Sequence, residues 1–172
     1  MSSVGELEAV CTMVNTWFGV LEQSTGRSAA SVRSLGAAFK ERGLTKTYKE
    51  AEQVVAELVS VRARRILTQR DTFATHVDRL KDLGQEASTS ALRAELDSLT
   101  MDLSNANDEV FVVKDSLQVN RGKTEVLFRE VPSLPSTLTL FDAAIQHSDD
   151  TSDHIQQLET DVDTMVKWLE SQ

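Results

Sequence analysis

Leu92, Leu96, Leu99, Leu103, Ala106, Val110, Val113, Leu117, Asn120, Thr124 and Leu127 follow one another at strictly alternating spacings of four and three. This heptad seam is the feature that most restricts what the chain can become. Residues spaced this way share one face of an α-helix, and the face must be buried against other helices. Polar side chains enter only near its end, at Asn120 and Thr124.

Weaker versions of the rule occur elsewhere. Val4, Leu7, Cys11, Val14, Phe18 and Leu21 form one stripe, which breaks at Thr25-Gly26-Arg27 and resumes through Val32, Leu35 and Phe39. Two helices are expected there, with Ser28 capping the second. Val59, Ile66, Phe73 and Leu80 recur every seven residues, with Val77 beside them and the small Ala56 and Ala63 opposite. Near the C-terminus, Leu138, Phe141 and Ile145 precede a polar waist around Asp149 to Asp153. Ile155, Leu158, Val162, Met165 and Leu169 follow, and a single helix is expected.

Breakers are few. With only 2 Pro and 7 Gly in 172 residues, the interruptions are Gly43-Leu44-Thr45, Gly84 to Ser88, and Pro132-Ser133-Leu134-Pro135. Gly43 and Gly84 suit a left-handed helix end, Ser88 or Thr89 can cap the next start, and Pro132 cannot continue a helix. The chain thus divides into broken helices over 4–43, a long hairpin from 46–84 and 89–131, and an acidic helix over 136–171. Short loops between long helices make neighbours antiparallel. The expected fold is a single all-α rod, an elongated antiparallel helical bundle or coiled coil running up-down-up-down.

Charge and composition exclude several function classes. The net charge is −9, which disfavours nucleic acid and anionic membrane, since both need a dense cationic face. No stretch has the roughly 18 apolar residues of a membrane span, and the start lacks the basic and apolar regions of a secretory signal. One cysteine and no Asn-x-Ser/Thr acceptor suggest a reducing compartment. An intracellular location, cytoplasmic (cytoskeletal) or nuclear, is expected.

Constellations that could carry chemistry do not assemble. Gly122-Lys123-Thr124 resembles the end of a phosphate loop, but the required earlier glycine position holds Leu117 and no strand precedes it. A carboxylate-bridged metal bundle needs Glu three residues before His. His76, His147 and His154 have Phe73, Ala144 and Thr151 there. His147, Asp150 and His154 share a helical spacing but sit in a solvated acidic waist, and Cys11 on a seam reads as a small buried hydrophobe. No catalytic residue, cofactor or metal is expected.

The remaining features point to helix packing as the function. Arg62, Arg64 and Arg65 lie midway along the second segment, and Asp149, Asp150 and Asp153 midway along the fourth, so pairing across the bundle is expected. At the open end of the hairpin, Val54, Leu58, Val61, Phe111, Val112, Val119 and Val126 leave apolar surface on more than one face, a candidate partner interface. The expected role is a structural or adaptor subunit of a coiled-coil assembly, of the cytoskeletal, microtubule-associated or chromosome-segregation type, whose partners are other helical proteins or the chain itself. A vesicle-tethering or membrane-associated module is the alternative, and a ligand- or metal-binding bundle is disfavoured.

Overall fold

Seams without sheet-forming runs lead to helices only. The computed structural model describes residues 3–84 and 89–171, and these form α1 (Val4–Glu41), α2 (Thr45–Val61), a π-helical turn (Arg62–Ile66), α3 (Leu67–Leu83), α4 (Thr89–Leu127) and α5 (Leu134–Glu170), with no strand among the described residues. Ser3 starts α1 with a capping box. Its hydroxyl accepts from the Glu6 amide at 3.2 Å, and the Glu6 carboxylate accepts from the Ser3 amide at 3.1 Å. Gly43, at φ +81°, stops α1. The Gly43 amide donates to the Lys40 carbonyl and the Leu44 amide to that of Phe39, both at 2.9 Å, a Schellman closure that needs a residue tolerant of left-handed backbone.

α1 packs against α2 and α3 on one side and α5 on the other, while α4 packs against the same two neighbours. The helices therefore form a four-membered ring in chain order, up-down-up-down, as short loops require. Every seam position of α4 from Leu92 to Thr124 is buried, among them Leu96, Leu99, Leu103, Val110, Val113 and Leu117. They meet Leu7, Cys11, Val14, Phe18 and Leu21 of α1 and Phe141, Ile155, Leu158, Val162 and Met165 of α5 in one core. Phe18 and Phe73 meet at 5.5 Å near its middle, and Phe39 meets Phe128 edge-on at 5.0 Å at the open end.

Five local expectations need correction. α1 does not break at Thr25-Gly26-Arg27. Thr25 and Ser28 turn their hydroxyls onto the Leu21 and Ser24 carbonyls at 2.8 and 3.3 Å, so both stay inside the helix and Ser28 caps nothing. Gly26 stays inside the helix, where a Cβ would stand 2.7 Å from the tip of the flexible Arg62 side chain. Gly84 ends α3 at φ −63°, not left-handed, and the proposed cap Ser88 lies outside the described residues. α4 stops at Leu127 rather than running to 131. Phe128 turns into the core beside Phe39, and a turn closed by Val131 donating to the Phe128 carbonyl at 2.9 Å leads on to Pro132. α5 starts earlier than 136, with Pro135 in its first turn, where a missing amide costs nothing.

The fifth correction is the π turn. The Leu67 amide bonds the carbonyl of Arg62, five residues back, so one extra residue is taken up at this point. A heptad traced back from Leu80, Phe73 and Ile66 arrives at Val59, yet the buried residues before the turn are Leu58, Val55, Val54 and Ala51, and Ala56 and Ala63 face solvent. The turn shifts the phase of the stripe by one position.

Candidate functional site

On α4, the face opposite the seam changes character along its length. Towards the C-terminal end it carries Phe111, Val112, Val119 and Val126, which are 48, 41, 52 and 67% exposed. Val112, Val119 and Val126 recur every seven residues and so form a stripe on one helix face. α2 runs alongside and supplies the opposite wall. Val61, Glu57, Ser60 and Arg64 border a hollow of about 370 Å³ with Val112 and Val119. Val54, Gln53 and Glu50 border another of about 560 Å³ with Gly122, Lys123 and Val126. The hollows follow one another along a single groove, with Val119 between them.

Polar contacts tie the groove walls together. Glu57 of α2 accepts from the Ser116 hydroxyl at 3.4 Å and pairs with Lys123 at 3.7 Å, and Arg65 donates to Glu109. Asp115 stands exposed on the α4 rim.

Of the residues assigned to an interface from sequence, the structure sets Val112, Val119 and Val126 along the groove, leaves Phe111 exposed outside its lining, and half-buries Val61. Val54 and Leu58 are instead core residues, 2 and 0% exposed. The one-residue phase shift at the π turn rotates them inward.

The arginine–aspartate pairing across the bundle is overturned. α2 and α5 are diagonal members of the ring, so their charges find nearer partners: Arg62 pairs with Glu22 of α1 at 3.4 Å and Arg65 with Glu109 of α4. Asp149 pairs with Lys114 at 2.6 Å, and Asp150 accepts from the Gln146 amide at 3.0 Å. Arg64 and Asp153 point to solvent.

A second cluster lies at the tip half of the bundle. His76 of α3 is buried, with Nδ1 2.6 Å from a Glu95 oxygen and Nε2 2.6 Å from an Asp102 oxygen of α4. Each ring nitrogen thus faces a carboxylate oxygen within hydrogen-bond distance. Arg79 adds a longer contact to Glu95 at 3.7 Å, and the Phe73 ring stands 5.9 Å from the imidazole. With both nitrogens committed, the imidazole has no free position from which to take a proton from a bound molecule. Its chemistry is that of a clamp between α3 and α4. A sequence signal for it existed, because His76 lies three residues after Phe73 and four before Leu80, on the inward stripe, and Glu95 stands likewise between Leu92 and Leu99.

The other candidates settle into packing. Cys11 is buried, and burial, with a smaller effect from the Glu95 charge, pushes its thiol up to about 12, which suppresses the reactive thiolate. Trp17 stacks on His154 at 4.9 Å and lies 5.9 Å from His147, so the α5 histidines are spent on an aromatic contact between α1 and α5. Among the described residues no group of three or more His, Cys, Asp and Glu side chains is arranged to hold a metal ion, and no helix is long and apolar enough to cross a membrane. Compared with protein-family models, curated proteins and solved structures, the chain gives no match.

Proposed function

We propose that the chain is a non-catalytic structural or adaptor subunit of an intracellular helical assembly, of the cytoskeletal, microtubule-associated or chromosome-segregation kind, and that it works by packing the α2/α4 groove against another helix. The observation that supports this reading is the groove stripe of Val112, Val119 and Val126, joined on the same helix by exposed Phe111, four large apolar side chains held in water on a helix whose other face already fills the core. Apolar surface grouped in this way marks interaction sites, and a helix seated in a groove between two others is the natural way to cover it.

The test is the double variant Phe111→Glu with Val119→Glu, expressed in the native cell in place of the wild type. Both positions are exposed, so far-UV circular dichroism and the thermal midpoint stay unchanged. The expected result is that a protein co-eluting with the wild type in stoichiometric amount no longer co-elutes with the variant. Unaltered co-elution, or a wild type that elutes alone from native extract, overturns the proposal.

A further inference from the structure

The charges around Val119 identify what can lie on this stripe. Four residues before Val119 stands Asp115 and four after it stands Lys123; seven before it stands Val112 and seven after it Val126. All five are exposed on one face of α4. The segment is therefore antisymmetric in charge and symmetric in apolar character about Val119. We propose that a second copy of this chain covers the stripe, with the two α4 helices antiparallel and a two-fold axis passing between the two Val119 side chains. This rests on the reading above, that the groove is a helix-packing site, and names the occupant.

Antiparallel alignment about Val119 places each Val112 level with the partner copy's Val126 and each Asp115 level with the partner copy's Lys123. At an ordinary interaxial separation of roughly 8–10 Å, side chains at such positions reach one another across the seam. Each contact occurs twice by symmetry, as an isologous interface requires. Parallel alignment does the opposite: it sets Asp115 beside Asp115 and Lys123 beside Lys123, so charge selects the antiparallel form. Gly122 fits the same arrangement. A Cβ there would meet no atom of the chain within 4 Å, so nothing in the single bundle calls for glycine in mid-helix, where it weakens the helix relative to alanine. A helix docked on this face is what a missing side chain at 122 admits. Lys123, now 3.7 Å from Glu57, keeps that neighbour while gaining Asp115 of the second copy.

Sedimentation equilibrium of the purified full chain over a micromolar concentration series is the first measurement, and a monomer–dimer equilibrium is expected. Asp115→Lys alone weakens the dimer by about three- to tenfold, as does Lys123→Asp, and the two together restore it, since the swapped charges again meet their opposites. Geometry is read independently by oxidative cross-linking, in which buried Cys11 stays out of reach. Val119→Cys gives a disulfide-linked dimer. Val112→Cys and Val126→Cys do not when each is alone but do when mixed. A monomer at all concentrations overturns self-pairing. So does a dimer in which Val112→Cys and Val126→Cys each cross-link to themselves, because that is parallel, and so does a failure of the double charge reversal to restore. These results separate from the broader reading: a monomeric chain that still loses a co-eluting protein in the Phe111→Glu, Val119→Glu variant leaves helix packing standing and removes only the second copy.

Discussion

The two halves of α4 are built with opposite patterning. From Leu92 to Ala106 the inward positions are almost all aliphatic, and the outward ones are polar apart from Ala94 and Met101. From Val110 to Thr124 the inward positions include Ser116, Asn120 and Thr124, while Phe111, Val112, Val119 and Val126 face out. The same helix thus spends its hydrophobic surface on its own core in the first half and divides it between core and solvent in the second. α1 and α5 repeat the trend, burying Ser24, Thr25, Ser28, Ser148, Thr151 and Ser152 in the bundle's middle stretch, where most of the hydroxyls bond carbonyls of their own helix. One half keeps its large apolar side chains almost wholly inside; the other leaves four of them exposed.

The contrast is sharpest at adjacent residues. Val113 is 1% exposed and Val112 41%. Val113→Asp, like Leu103→Asp, inserts an unpaired charge into the core and also forfeits the aliphatic packing, together at least ~4 kcal/mol, so cooperative thermal unfolding followed by circular dichroism should be lost or shifted far down. If either variant melts like the wild type, the inward assignment is wrong.

His76→Ala comes next. It leaves Glu95 buried beside Asp102 with no histidine between them, and removing one partner of a buried pair costs about 3–5 kcal/mol. Replacing Glu95 as well, with leucine, should recover a substantial part of that in urea melts. No recovery would mean that the clamp does more than pair charges.

The dryness of the tip half has a pH signature. The Cys11 thiol lies at about 12 in the folded chain against an ordinary 9.0, so the unfolded state loses its proton first as pH rises. The stabilising contribution is complete below pH 9.0 and declines above it, by about 1.4 kcal/mol per pH unit up to the folded value. Cys11→Val should flatten that part of the stability profile, and an unchanged slope would place its origin elsewhere.

Asn120→Leu tests the mixed interior of the second half. The Asn120 amide donates to the Ser116 carbonyl at 2.8 Å, but its oxygen finds no hydrogen-bond partner among the described residues. A leucine of similar volume should therefore raise stability by about 1 kcal/mol. Smallest of all is Val112→Asp, an exposed change expected to stay within ~0.5 kcal/mol in the same melts. A large loss would show that the stripe already supports the single bundle.

Much of this was legible in the sequence. Leu92 to Leu117 announce α4 because aliphatic heptads have no other stable use, and Gly43 marks the first corner because only a left-handed residue closes it. The phase error in α2 was not legible. Arg62-Ala63-Arg64-Arg65-Ile66 contains no breaker, and the partners its arginines find, Glu22 for Arg62 and Glu109 for Arg65, are distant in sequence. The burial of Val54 and Leu58 follows directly, while Phe111, Val112, Val119 and Val126, on a helix with no such shift, stay exposed. Gly26 illustrates a related limit of local signals: nothing in Thr25-Gly26-Arg27 distinguishes a glycine that ends a helix from one that continues it.

The π turn also makes the groove depend on chain length as well as on residue identity. Each residue advances an α-helix by about 100°. Regularising the turn to α-helix with every residue kept would therefore swing the whole of α2 by that angle relative to α3, carrying Ala56 and Val59 towards the core and Val54 and Leu58 away from it, whereas deleting one position between Arg62 and Ile66 would set Leu58 seven positions before Ile66 and keep it in the core. The turn acts as a rotary offset between α2 and α3, setting which residues of α2 face the core and which border the groove.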